Sequence, residues 1–97
     1  MKTLDELVHI LNANLPHLKK AFRIREIGIF GSYVREAHQP SSDVDILVEF
    51  EEAPDLLKFI ELEMHLERLL GVKVDLVRKS SVRSELKQHI LNEVIMI

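Results

Sequence analysis

Gly31-Ser32-Tyr33-Val34-Arg35, continued by Ser42-Asp43-Val44-Asp45-Ile46-Leu47-Val48, is the stretch from which the rest of the chain is read. An apolar run, Ile27-Gly28-Ile29-Phe30, leads into it, and Glu49-Phe50 leads out. A tight Gly-Ser turn after a strand leaves backbone N–H groups free to face a phosphate, and a helix starting there adds its positive dipole end. Strand side chains alternate, so Asp43 and Asp45 share one face while Val44 and Ile46 take the other. Two carboxylates about 7 Å apart along a strand can converge on a hard divalent cation. The triplet Ile46-Leu47-Val48 marks this strand as central and buried, and such a strand rarely opens with two acids unless something neutralises them.

Taken singly, a Gly-Ser pair after a strand is an ordinary turn, and Asp-x-Asp is ordinary loop chemistry. Together, with Arg35 between them, they form a phosphate cradle beside a cation-binding pair, the equipment of nucleotidyl transfer. Composition sets the limits. The 97 residues suffice for one domain, 1–97, with a single core. A hydrophobic content of 46% with 30% charged residues is ordinary for a globular protein. The net charge of −3 argues against an extended nucleic-acid-binding surface. No cysteine means no disulfide framework and no thiolate zinc site, in keeping with a reducing cytoplasm. No apolar run approaches a membrane span, and Met1-Lys2-Thr3-Leu4-Asp5-Glu6 lacks a signal-peptide core, so the expectation is cytoplasmic.

In chain order, Thr3 and Glu6 predict a capping box, followed by a helix with Leu4, Val8, Leu11 and Leu15 on one face. Asn14-Leu15-Pro16 predicts a break, with a second short helix over 17–22. Residues 25–30 read as the first strand, 33–37 as a short helix, 38–42 as a loop and 44–50 as the second strand. A long helix over 55–70 ends at Gly71, and 72–77 alternates as a third strand. Ser80 or Ser81 is expected to cap a last helix over roughly 82–93, before the apolar tail Val94-Ile95-Met96-Ile97. The expectation is an α/β (α+β) domain with a mixed three- or four-stranded sheet flanked by helices. On the long helix, Phe59, Leu62, Leu66 and Leu69 make a core stripe, widened by Leu56, Leu57, Ile60, Met64 and Leu70. That excess, with the apolar tail, predicts a contact with another chain, homo- or hetero-oligomeric. His9, His17, His38, His65 and His89 lack metal-ligand spacing, and His65 reads as surface or interface. Arg78, Lys79, Arg83 and Lys87 form the one basic cluster, either a solvated helix face or a resting place for a phosphate.

The pattern Gly-Ser-x-x-Arg, six residues, Ser-Asp-x-Asp and an apolar triplet resembles the minimal nucleotidyltransferase (MNT) family of the polymerase-beta-type superfamily. The resemblance covers nearly the whole chain. One position departs from it: Glu36 stands where the family often has Gly. The resemblance implies the polymerase-beta-type fold, two Mg2+ ions and ATP as substrate. It implies that Asp43 and Asp45 hold both metals, while Asp75, the acid inside the third strand, binds one and helps deprotonate the attacking hydroxyl. Gly31, Ser32 and Ser42 would hold the nucleotide. Arg35 would be either a phosphate contact or a partner for a motif carboxylate. Manganese would suit the same oxygen ligands.

The resemblance further implies an antitoxin that moves AMP from ATP to a tyrosine of a HEPN-type ribonuclease toxin. Two other classes stay open on the residues. One is a non-catalytic antitoxin acting by occlusion, with a relic site. The other is a small-molecule or RNA-end nucleotidyltransferase working with a separate substrate-binding subunit.

Overall fold

The computed structural model describes residues 2–35 and 43–97. Helix α1 (Leu4–Phe22) leads to strand β1 (Ile24–Phe30) and a 3-10 turn (Gly31–Tyr33). Strand β2 (Val44–Phe50), helix α2 (Leu56–Leu70) and strand β3 (Val74–Arg78) follow. A second 3-10 turn (Lys79–Ser81), helix α3 (Ser84–Glu93) and a short strand β4 (Ile95–Met96) complete the chain. Glu36 and Ser42, with the expected 38–42 loop and the end of the expected 33–37 helix, lie outside the described residues.

Helix α1 starts as its sequence predicts, with Thr3 Oγ1 accepting from the Glu6 N–H at 3.2 Å. It does not break at Pro16 but runs on to Phe22. A proline inside a helix costs about 3 kcal/mol through its missing N–H and the clash of its ring. Leu11 and Leu18, either side of it, are both fully buried on the same face, and burial of two leucines contributes roughly 3–6 kcal/mol. Packing therefore overrides the break. The buried stripe runs through Leu7, Leu11, Leu18 and Phe22, so Leu4, Val8 and Leu15 flank it and only Leu11 of the expected set lies at its centre.

The sheet has the order β3-β2-β1-β4. Strand β1 pairs antiparallel with both β2 and β4, and β2 pairs parallel with β3. A parallel pair requires a crossover, which α2 supplies. Asp55 caps α2 by accepting from the Lys58 N–H at 2.8 Å, and Gly71 closes it at φ 70°. One sheet face carries Ile27, Ile29, Val44, Ile46, Val48, Val74 and Leu76 into a core shared with α1 and α2. The opposite face carries Asp45 and Asp75.

Further expectations are corrected. Strand β3 begins at Val74 and not at Val72. Its free edge is protected by α2, because the Val74 and Leu76 N–H groups donate to Glu67 and Glu63 at 3.0 and 3.3 Å. Neither Ser80 nor Ser81 caps α3: Val82 and Arg83 are extended, and α3 starts at Ser84 without a side-chain cap. The apolar tail is part of this chain's own sheet, with Ile95 opposite Ile29, Met96 opposite Gly28 and the Ile97 N–H donating to the Ile27 carbonyl at 2.9 Å. Leu70, expected in the outer set of α2, is fully buried, whereas Leu56, Leu57, Ile60 and Met64 are exposed. His65 is half-buried and packs against Phe22 and His17, and burial lowers its pKa. Among the described residues, no helix is long and apolar enough to cross a membrane.

The tail approaches β1 so closely that a Cβ on Gly28 would meet Val94 Cγ2 at 2.8 Å and the Ile95 carbonyl oxygen at 2.9 Å. Gly28→Val should therefore force β4 off the sheet at a cost of about 1–3 kcal/mol. Differential scanning calorimetry should register a Tm lowered by at least ~4 °C.

Candidate active site

The site forms where β1 ends beside the start of β2. Phe30 lies opposite Asp45, so the turn that follows is held against the Asp45 side chain. Gly31 has φ 78°, and a Cβ there would land on the Asp45 carboxylate, so glycine is required on both counts. The expected free N–H groups are not free. The Ser32 N–H donates to the Asp45 carboxylate, and the Gly31 N–H donates to Glu93 Oε1 at 3.0 Å. Protein carboxylates hold both donors of the turn.

Asp45 and Asp75 are direct neighbours across the parallel strands, at the ordinary strand spacing of about 4.8 Å. Both point away from the core face that Val44, Ile46, Val74 and Leu76 supply. Asp43 precedes β2 by one residue and shares their parity. Asp43 and Asp75 are exposed and Asp45 is half-buried. Burial, then the charges of Asp75 and Asp43, push the Asp45 carboxyl above its ordinary 3.8, against the pull of Arg35 and the Ser32 N–H. Three acids thus sense one another across one strand pair. Among the described residues, no three His, Cys, Asp or Glu side chains converge as a ready-made metal centre. The donor set is nonetheless of the right kind, because carboxylate oxygens suit magnesium and a cation would offset both the burial and the repulsion that raise Asp45.

A cleft of about 460 Å3 opens over this face, with Gly31, Arg35, Asp45 and Asp75 on one side and Arg83, His89 and Glu93 on the other. Ser32 does not line it. Arg35 has a partner that neither sequence alternative named: its Nη1 donates to both oxygens of Glu93, at 3.1 and 3.0 Å. Burial disfavours the ionised Glu93 carboxylate, but the Gly31 N–H and the Arg35 guanidinium together hold its pKa below 4.5. Sequence reasoning missed Glu93. Its only signal was an acid within the apolar run Leu91-Asn92-Glu93-Val94-Ile95. The basic cluster divides, with Arg83 on the cleft rim while Arg78, Lys79 and Lys87 line a separate cavity of about 430 Å3. Lys79 is paired there with Glu49 at 3.1 Å.

The chain that builds this cleft is similar to known proteins over most of its length. The family model for the nucleotidyltransferase domain matches residues 12–97. The protein adenylyltransferase MntA of Thermococcus cleftensis is 56% identical over 97 residues, covering 100% of this chain and 98% of that one. A solved minimal nucleotidyltransferase superposes with a TM-score of 0.82 at 35% identity, covering 97% of this chain and 95% of the other. A toxin–antitoxin complex with AMP-PNP gives a TM-score of 0.68 at 27% identity, over 95% of this chain and 69% of the matched one. A complex of tri-AMPylated Shewanella oneidensis HEPN toxin with MNT antitoxin gives 0.59 at 26% identity, over 95% and 66%. The chain belongs to the nucleotidyltransferase family, as an enzyme of the minimal, protein-adenylylating type.

Asp45 provides a direct test of this electrostatic arrangement. Its raised pKa means the folded state binds the proton more tightly than the unfolded chain, so this group's contribution falls as pH rises through the interval above 3.8. Asp45→Asn removes the repelled charge and keeps an oxygen for the Ser32 N–H. Metal-free D45N should melt above wild type at neutral pH, and the gap should close as pH falls below 3.8. Added magnesium should raise the wild-type Tm and shift D45N less, both read by calorimetry.

Proposed function

We propose that this chain moves AMP from ATP to a tyrosine hydroxyl of a HEPN-type toxin and thereby acts as its antitoxin. The observation that carries the reading is the in-register placement of Asp45 beside Asp75, with the Gly31-Ser32 turn and Arg35 at the same end of the sheet. The acceptor oxygen attacks the α-phosphorus of ATP, the bond to the β-phosphate breaks, and pyrophosphate leaves. Asp75, exposed at the cleft, takes the hydroxyl proton as the new bond forms. Asp43 and Asp45 would hold two magnesium ions, with Asp75 sharing one. When bound, the ions supply the positive charge that stabilises the attacking and leaving oxygens. Arg35, which lines the same cleft as Asp45 and Asp75, would meet the triphosphate charge with guanidinium N–H groups beyond the Nη1 that donates to Glu93. Ser42, assigned to the nucleotide by resemblance, stays part of this proposal.

A second reading has one observation in its favour. The N–H groups of Gly31 and Ser32 are already bonded to protein carboxylates, as suits an antitoxin that works by occlusion alone. Intact-mass measurement separates the two. A helical HEPN partner is incubated with this chain, ATP and magnesium, beside an Asp43→Asn/Asp45→Asn variant and a chelator control. The expected result is a gain of one or more AMP units, reduced to background in the variant and by chelation. An unchanged mass in a tight complex would favour occlusion.

The docking surface proposed for the partner is the outer face of α2, where Leu57 is 79% and Met64 51% exposed. Leu57→Lys with Met64→Lys should leave the Tm within a few degrees of wild type. The same pair should weaken the complex at least tenfold in a calorimetric titration, about 1.4 kcal/mol or more.

A further inference from the structure

We propose that Glu93 is a positioning residue for nucleotide binding, acting through Arg35; this rests on the nucleotidyl-transfer reading above. Arg35 is 52% exposed in its side chain, whereas that of Glu93 is only 15% exposed. An exposed arginine samples many rotamers, and fixing one at the moment of binding costs affinity. Glu93 removes that cost beforehand by accepting from Nη1 with both oxygens, at 3.1 and 3.0 Å. Among the described residues only Nη1 is engaged, so Nε and Nη2 are placed to meet an anion in the cleft that Arg35 lines. The same carboxylate accepts from the Gly31 N–H, so the turn against Asp45 and the arginine beside it are set by one side chain.

A different role would suit the same contacts: an anion that occupies the phosphate position and is displaced by nucleotide. The backbone around Glu93 argues against it. Glu93 is the last residue of α3, the Val94 N–H donates to the Ile90 carbonyl at 2.9 Å, and Ile95 and Met96 are paired with β1. With the chain held on both sides, Glu93 has little room to withdraw. It acts as a fixed strut, and the C-terminal strand becomes part of the nucleotide site's support.

The test is a double-mutant cycle on the full chain, titrated calorimetrically with the non-hydrolysable ATP analogue AMP-PNP and magnesium. Glu93→Gln keeps an acceptor for Gly31 and removes the charge that holds Arg35. E93Q and Arg35→Gln should each weaken binding about tenfold, and the double variant should be no more than about twofold weaker than R35Q alone. E93Q that binds as wild type or tighter, or losses that multiply, would overturn the proposal. Glu93→Asp, one methylene short, is the second variant should E93Q fail to fold; it should also lose affinity, and unchanged binding by E93D counts against the strut. Wild-type protein that binds no nucleotide overturns the nucleotidyl-transfer reading itself, and the proposal with it. Wild-type binding with an unaffected E93Q overturns the proposal alone.

Discussion

The parallel pairing of β2 with β3 sets Asp45 against Asp75, and the candidate site depends on that register. Apolar residues choose it. Val44, Ile46, Val74 and Leu76 all face the core, and a slip of one residue would turn them outward and bury the acids. Like charges opposite one another destabilise a strand pair by up to about 1 kcal/mol. Burial of each of the four apolar side chains contributes roughly 1.5–3 kcal/mol, so the core holds the acids together despite their repulsion. Burial first, and then this repulsion, raises the pKa of Asp45. The acidic pair is thus maintained by hydrophobic packing on the far side of the sheet.

The other wall of the cleft is built by the end of the chain. Strand β4 lies against β1 because Gly28 leaves room for Val94 and Met96, and this pairing holds Glu93 over the Gly31 turn. A residue 62 positions downstream thereby completes a turn that local sequence leaves open. Helix α2 serves two faces in a similar way. Leu62, Leu66 and Leu70 enter the core, and Glu63 and Glu67 close the free edge of β3. Leu56, Leu57, Ile60 and Met64 remain on the outside, a patch unlike the mostly charged remainder of the helix surface.

Family membership agrees with this construction. The similarity to a protein adenylyltransferase and to a solved minimal nucleotidyltransferase spans nearly the full length of each. The mixed sheet, expected with three or four strands, has four, the last supplied by the tail. Asp75 was set beside the motif aspartates by resemblance, and the register shows why a strand so far along the chain can deliver it there.

Short-range chemistry was legible in the sequence. Thr3 caps α1, Gly71 ends α2, and the apolar triplet Ile46-Leu47-Val48 marks a buried strand, because each of these signals acts within a few residues. The structure overruled the sequence wherever a distant partner outweighed a local preference. Pro16 stays helical because Leu11 and Leu18 are buried against other elements. Ser80 and Ser81 do not cap α3, since they belong to a 3-10 turn and two extended residues, Val82 and Arg83, separate them from the helix. The tail joins its own sheet, and Arg35 is paired with Glu93, which lies far along the chain. By itself the sequence determined which residues carry the charges, turns and apolar faces. Tertiary structure decided which of them meet, because contacts between residues 58 or 62 positions apart follow from how the whole chain buries its apolar surface.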